Sequence, residues 1–133
     1  MVSRECDGLI LGAGTAGLNA YKAATNRGVE ALIIERGARG STCKRVGCMP
    51  SKLLIAAGRA AHQARGASAF GIDTGAVCVE AARMRQRVRS ERDRFVQSLL
   101  DEYHAIPDER VMRGTARFCA ANAVMVDDTR VIG

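Results

Sequence analysis

Aromatic residues are scarce in this chain of 133 residues, at 4% of the sequence, and it has only two histidines and five cysteines. Few aromatics argue against nucleic-acid binding, where bases stack on rings interleaved with basic side chains. The net charge of +6 comes largely from "ARMRQRVRSERDRF", where Arg83, Arg85, Arg87, Arg89, Arg92 and Arg94 crowd together. With Glu91 and Asp93 as local partners, this stretch reads as a solvated helix face rather than a nucleic-acid or membrane patch. No apolar run is long enough to span a bilayer. "GLILGAGTAGL" has the hydrophobicity of a signal-peptide core, but its glycines and the preceding Glu5 and Asp7 make it a strand and a turn. With no export signal, a reducing cytoplasm is the expected compartment. There a cysteine pair is more often catalytic or metal-binding than structural. A structural zinc needs four ligands. Cys6, Cys78, Cys119, His62 and His104 are scattered without ligand spacing, so no metal site is expected.

What is present is an ordinary globular composition, 47% hydrophobic and 26% charged, in a chain long enough for one modest domain with a core. Residues 6–11, "CDGLIL", read as a short buried strand. "GAGTAG" is a glycine turn, "LNAYKAATNR" a helix stopped by Gly28, and "VEALIIE" a second strand rich in branched residues. That order is one βαβ unit of the usual length, ~30 residues. A glycine-rich loop follows, then a helix from Pro50 through "SKLLIAAGRAAHQARGA" and a break at "FGIDTGA". A long helix over roughly 79–104 carries Met84, Val88, Phe95, Leu99 and Tyr103 at helical spacing. Pro107 ends that region, and the tail reads as short strands joined by "AAN" and "DDT" turns. No internal repeat, low-complexity segment or linker divides the chain. The fold class is α/β.

Two stretches carry chemistry. "GAGTAG" fits G-x-G-x-x-G at Gly12, Gly14 and Gly17, after a strand and at a helix start. Gly12 permits the sharp turn, Gly14 lets backbone N–H groups approach a pyrophosphate, and Gly17 lets helix and strand pack closely. The helix N-terminus then favours the diphosphate. Glu35 closes the second strand, where a carboxylate accepts hydrogen bonds from the ribose hydroxyls of an adenine dinucleotide and repels a 2′-phosphate. The motif itself leaves NAD and FAD both open.

The second stretch is "GSTCKRVGCMPSK", residues 40–52. Pro50 suits the first turn of a helix, so Cys48 falls at or just before a helix N-terminus, where a thiolate is stabilised. Lys44, Arg45 and Lys52 add positive charge nearby. Gly47 removes bulk beside Cys48, leaving room for a flat ring. A four-residue loop can bring the sulfurs of Cys43 and Cys48 into bonding range if its backbone coils. A redox pair uses every feature of the stretch; two free thiols at a helix start use none, and the redox reading is favoured.

Together the glycine motif, Glu35 and "GSTCKRVGCMPSK" resemble the N-terminus of the FAD-dependent pyridine nucleotide–disulfide oxidoreductases, and within that family most closely the dihydrolipoamide dehydrogenases. "RGTARF" resembles the family's next flavin-domain segment, so the resemblance covers the whole chain. It implies a Rossmann-like FAD-binding domain with a parallel sheet, a redox-disulfide helix and short C-terminal strands. FAD would be held by Gly12, Gly14 and Gly17 at the diphosphate and by Glu35 at the adenosine ribose. Gly40 and Thr42 would lie along the diphosphate and ribityl chain, Lys52 near the flavin ring, and Gly114 to Ala116 at the adenine. Cys43 would be the thiol that meets substrate, and Cys48 the one that passes electrons to flavin.

The activity so implied is oxidation of a lipoyl-bearing dithiol, with electrons passing through the Cys43–Cys48 disulfide and FAD to NAD. Two departures stand out: Ser41 replaces a frequent second glycine, and Lys44 and Arg45 follow Cys43. "PSK" resembles lipoamide and mercuric reductases more than glutathione reductases. The alternatives are a mercuric or glutathione-type reductase, or a non-catalytic flavin- or thiol-binding redox module. The resemblance also implies that residues 1–133 form only the N-terminal part of a discontinuous FAD domain. The NAD and dimerisation domains of a homodimeric parent would then lie outside this chain, which alone is expected to be inactive. Neither nucleic acid nor membrane is an expected partner.

Overall fold

The computed structural model describes residues 2–133. In chain order the elements are β1 (Val2–Glu5), β2 (Gly8–Leu11), α1 (Thr15–Thr25), β3 (Ala31–Glu35), α2 (Thr42–Arg45) and α3 (Cys48–Gly66). A 3-10 turn (Ala67–Phe70), α4 (Ala81–His104) and a second 3-10 turn (Asp108–Arg110) follow. Last come β4 (Val111–Arg113), β5 (Ala116–Ala120), β6 (Ala123–Val126) and β7 (Thr129–Ile132). The residues form two compact units. One comprises the chain up to Ser41 together with Ser98–Gly133, and the other is Thr42–Gln97.

The first unit is α/β. A parallel sheet runs β2-β3-β4, with Leu9 opposite Leu32 and Ile33 opposite Val111. A second sheet runs β1-β7-β6-β5, in which β1 joins β7 in parallel and β7, β6 and β5 form an antiparallel meander. Side chains alternate across a strand, and β3 uses both faces. Ile33 packs with Ala13, Leu18, Leu99 and Tyr103, whereas Leu32 and Ile34 pack with Val124, Val126 and Val131 of the meander. Each such side chain contributes about 1.5–3 kcal/mol on burial, so β3 is the strand on which both faces of the unit depend. The helix-capping signals act as read: Gly28 takes φ +75° and donates to the Thr25 carbonyl, ending α1.

The strand expected at residues 6–11 differs in two ways. It is interrupted at Cys6 and Asp7, and β2 is only partly buried, with Leu11 46% exposed. The chain changes sheets at this point. Cys6 N–H still donates to Ile132 in line with β7, while Asp7 and Gly8 N–H both turn to the Glu30 carbonyl beside β3. The Asp7 carboxylate accepts the Glu30 N–H at 2.9 Å, which secures the change of direction. Within its sheet β2 is an edge, which leaves its residues half covered.

The second unit is helical. α3 begins at Cys48, two residues earlier than Pro50, and none of its residues is buried. Gly71 and Gly75, both at positive φ, mark the break before α4. The α4 arginines lie on its surface, Arg92 paired with Asp93 and Arg94 with Glu91, each as a local ion pair. Among the described residues no helix is long and apolar enough to cross a membrane.

Candidate functional site: a glycine-turn cradle and a dithiol

The cradle is assembled in the α/β unit. Gly12 sits at φ +103° and its N–H donates to the Ile34 carbonyl at 2.8 Å, so the turn after β2 is tied to β3. A side chain on Gly17 would collide with the Gly12 carbonyl oxygen, while one on Gly14 would meet open space. The two glycines therefore have different duties: Gly17 lets α1 press against the turn, and Gly14 keeps a volume clear. Gly14 is also the N-cap of α1 and supplies no side-chain hydrogen bond, so the first-turn N–H groups stay available to an anion.

Glu35 joins this turn to the loop after β3. Its Oε2 accepts the Ala13 N–H at 2.7 Å and its Oε1 the Gly37 N–H at 2.6 Å. Gly114, at φ +154°, donates its N–H to the Glu35 carbonyl at 3.2 Å, and a side chain on it would strike Val126. A cavity of about 240 Å³ opens here, lined by Gly12, Glu35, Arg36, Gly114, Thr115 and Ala116 together with Leu11 and Ile34. Four residues singled out in the sequence thus share one small cavity. Arg36 and Thr115 were not singled out individually, although each is adjacent to a residue that was. Gly40, at φ +103°, and Ser41, at φ +50°, follow in the loop that leaves this unit.

The dithiol is in the helical unit. Cys43 lies in the single turn of α2 and Cys48 is the first residue of α3, with Gly47 as its N-cap. A side chain on Gly47 would come within 3.2 Å of the Thr42 carbonyl oxygen and 3.5 Å of Cys43 Cα. Gly47 therefore lets the loop between the two cysteines close tightly, a contact the sequence did not announce. Both cysteines are free thiols here. Interaction of the Cys43 S–H, as donor, with the Cys48 sulfur pushes the Cys43 thiol pKa above its ordinary value, burial adds to this, and the charge of Lys52 opposes it. Lys52 lies one helical turn beyond Cys48, and Thr42 opens α2. The proximity of two sulfurs, one binding the other's proton, is what thiol–disulfide exchange requires. A larger cleft of about 600 Å³ between α3 and α4 is lined by Ala56, Ala60, Ala64, Cys78, Arg83 and Arg87 among others, and includes neither Cys43 nor Cys48. Among the described residues no three His, Cys, Asp or Glu side chains cluster as metal ligands would.

The profile of the pyridine nucleotide-disulphide oxidoreductase family matches residues 7–131. The chain belongs to this family. Among curated members, the mercuric reductase of Lysinibacillus sphaericus is 33% identical over 129 residues, covering 94% of this chain and 23% of its own length. A dihydrolipoyl dehydrogenase of Bacillus subtilis is 30% identical over 121 residues, covering 89% of this chain and 26% of its own. Among solved structures, the HOCl-induced flavoprotein disulfide reductase RclA of Escherichia coli superposes with a TM-score of 0.68 at 22% identity, over 96% of this chain and 26% of its own. The fold is thus that of a partial Rossmann-like FAD-binding domain, and this chain spans about a quarter of the length of the curated relatives it matches.

Two further residues of the α/β unit, which the sequence did not single out as site residues, lie against each other. The Arg39 guanidinium lies over the Tyr103 ring, 4.6 Å from its centroid. Tyr103 is 3% exposed and its hydroxyl has no hydrogen-bond partner among the described residues. Burial pushes its pKa up, with Arg39 and Arg113 opposing and Glu35 adding to the rise.

Proposed function

We propose that this chain is the FAD-binding part of a flavoprotein that oxidises dihydrolipoyl groups, with Cys43 and Cys48 as its redox pair and a pyridine nucleotide, NAD, as final acceptor. The observation that carries the redox reading is the placement of Cys43 in α2 and Cys48 at the start of α3, joined by a loop so tight that a side chain on Gly47 would meet the Thr42 carbonyl and the Cys43 backbone. The residues of the cradle fit such a cofactor: a helix N-terminus with no side-chain cap, clear space beside Gly14, and a carboxylate beside a small cavity. In this reading Gly12, Gly14 and Gly17 bind the diphosphate, Glu35 the ribose, and Gly114 to Ala116 the adenine. Gly40 and Thr42 follow the chain of the cofactor, and Lys52 serves its flavin end.

The chemistry of the pair begins with the disulfide. A dihydrolipoyl thiolate attacks the Cys43 sulfur; the Cys43–Cys48 bond breaks, Cys48 leaves as a thiolate, and a mixed disulfide joins substrate to Cys43. The second substrate thiol, having lost its proton to solvent, attacks the substrate sulfur of that bond and closes the lipoyl ring. Cys43 leaves as a thiolate, and the pair then holds the two electrons. Bound FAD supplies the two-electron acceptor that lets the pair return to disulfide.

A second reading, reduction of mercuric ion, is favoured by similarity to mercuric reductases at 33% and 37% identity, and a soft cation suits two thiolates. Mass mapping of the oxidised chain is expected to find a 43–48 link, and titration with FAD to show binding. In a longer protein carrying this chain, turnover of dihydrolipoamide with NAD⁺ is then compared with that of mercuric ion and of glutathione disulfide with NADPH. Absence of both the link and the FAD binding overturns the redox reading, and turnover of mercuric ion alone selects the second reading over the first.

A further inference from the structure

The cleft between α3 and α4 belongs to neither the cradle nor the dithiol. It holds about 600 Å³ and lies wholly within the helical unit. That volume falls in the range of about 300–1,000 Å³ usual for small-ligand sites, which are mostly apolar with a few convergent polar groups. The residues that α3 contributes to the lining are all alanines, and Val77 and Met84 add to the apolar wall. Larger side chains on α3 would fill such a space, as they do in close-packed interiors. Arg83 and Arg87 line the same cleft from α4. They are one helical turn apart, so they share a face, and like charges at that spacing destabilise a helix. Neither makes an ion pair or hydrogen bond among the described residues, whereas Arg92 and Arg94 further along α4 are held by Asp93 and Glu91. Glu80 is the one carboxylate in the lining, so two positive groups stand against one negative. The first turn of α4 has no acidic residue, and the positive end of its dipole adds in the same sense as the arginines.

We propose that this cleft binds a small aliphatic carboxylate, with its hydrocarbon chain against the alanines of α3 and its carboxylate between Arg83 and Arg87. The two parts of such a ligand match the two parts of the lining. The apolar wall takes up surface that water disfavours, and the guanidinium groups offer charge-assisted hydrogen bonds to both carboxylate oxygens. The anion also relieves the repulsion between the two arginines. A second copy of the chain is a poor occupant, because it brings a net charge of +6 to a positive cleft. The inference goes beyond the redox reading and does not rest on it, since neither Cys43 nor Cys48 lines the cleft.

The cleft carries its own reporter. Cys78 is an exposed free thiol in its lining, and Cys119, an exposed free thiol of the α/β unit, serves as the internal control. The whole 133-residue chain is alkylated with iodoacetamide in the presence of decanoate below its micellar concentration, and peptide mapping reads each cysteine. Decanoate is expected to slow alkylation of Cys78 in a saturable way and to leave Cys119 unchanged. Acetate, which lacks the chain, should protect neither, and decanol, which lacks the charge, should protect Cys78 more weakly. Replacing both arginines, Arg83→Gln with Arg87→Gln, should weaken decanoate about tenfold, the usual loss for hydrogen bonds to a charged group, and leave decanol unchanged. Ala61→Leu places a larger side chain in the cleft and should abolish protection by both, with thermal unfolding measured on every variant to show that the chain still folds. Absence of protection, or equal protection of Cys78 and Cys119, overturns the proposal. Decanoate affinity unchanged in the double arginine variant, or matched by decanol in the unmodified chain, overturns the assignment of a carboxylate. Binding of vesicles rich in anionic lipid without protection by dispersed decanoate assigns the cleft to a lipid surface and also overturns it.

Discussion

Glu35 Oε2 accepts the backbone N–H of Ala13 at 2.7 Å, so the residue at the end of β3 fixes the turn at the end of β2. The other oxygen accepts the Gly37 N–H, and both lobes of the carboxylate are committed to backbone donors. A glutamine can present only one carbonyl oxygen, and its NH₂ would face one of the two N–H groups. Glu35→Gln is therefore expected to destabilise the chain by about 1–3 kcal/mol through one unsatisfied donor, measured by urea unfolding. Ligands with an adenosine ribose should also bind more weakly than the stability loss explains. Unchanged stability would mean that the carboxylate is not what holds the turn.

The glycines of the turn separate folding from binding. Gly17→Ala sets a methyl group against the Gly12 carbonyl oxygen, and the backbone must shift at a cost of at least about 1–3 kcal/mol. Gly14→Val faces open space, and its cost to folding is limited to the poorer N-cap, about 1 kcal/mol. Dinucleotide binding should be lost in both. Thermal unfolding and FAD titration on the same two variants check the contrast: a Gly14→Val chain that binds FAD like the unmodified one sinks the assignment of that open space to a diphosphate.

Much of this site was legible in the sequence because its parts are local. The glycine spacing, the carboxylate at the end of β3 and the cysteine stretch each depend on a few consecutive residues, and the fold supplied only their context. What was not legible depends on contacts between distant segments. Arg39 read as one residue of a glycine-rich loop, and Tyr103 as a core position at helical spacing; nothing local announces that one lies on the other. Gly47 was noticed for the space it leaves beside Cys48, but its closeness to the Thr42 and Cys43 backbone was not legible, since that depends on how tightly the loop coils. The interrupted first strand was also illegible, because Cys6 and Asp7 part toward different neighbours, β7 and the start of β3.

The half-buried Cys6 and the buried Tyr103 both weaken the α/β unit at alkaline pH. Cys6 and Tyr103 both have pKa values raised by burial, and Cys6 also donates its S–H to the Gly8 carbonyl. Each is neutral when protonated, so the folded chain holds these protons longer than the unfolded chain does. Their stabilising contribution is full below the ordinary unfolded values, about 8.5 for cysteine and about 10 for tyrosine. It is lost as pH rises through the folded values. Stability should therefore fall on the alkaline side of about pH 8.5, and Cys6→Ser together with Tyr103→Phe should flatten that decline. A pH profile of urea unfolding checks this; an undiminished alkaline decline in the double variant would assign the effect to other groups.

The dithiol makes a prediction that can be read one sulfur at a time. In the reduced pair the Cys43 proton is held by its hydrogen bond with Cys48, which is the main reason the Cys43 pKa is raised. Only the thiolate is alkylated at an appreciable rate, so the reaction of Cys43 with iodoacetamide should titrate above the ordinary thiol value in the unmodified chain. Cys48→Ala removes the partner that holds the proton and leaves Lys52, whose charge favours the thiolate. The Cys43 profile should then move to lower pH. Gly47→Ala presses a methyl group on the Thr42 carbonyl and the Cys43 backbone, and should move the profile the same way while both sulfurs remain. It should also slow formation of the 43–48 link on oxidation, because the loop that closes the pair has been pushed open. Peptide mapping after alkylation at a series of pH values resolves each cysteine separately. A Cys43 profile unmoved in both variants would show that the two thiols titrate independently and are not held as a pair in the reduced chain.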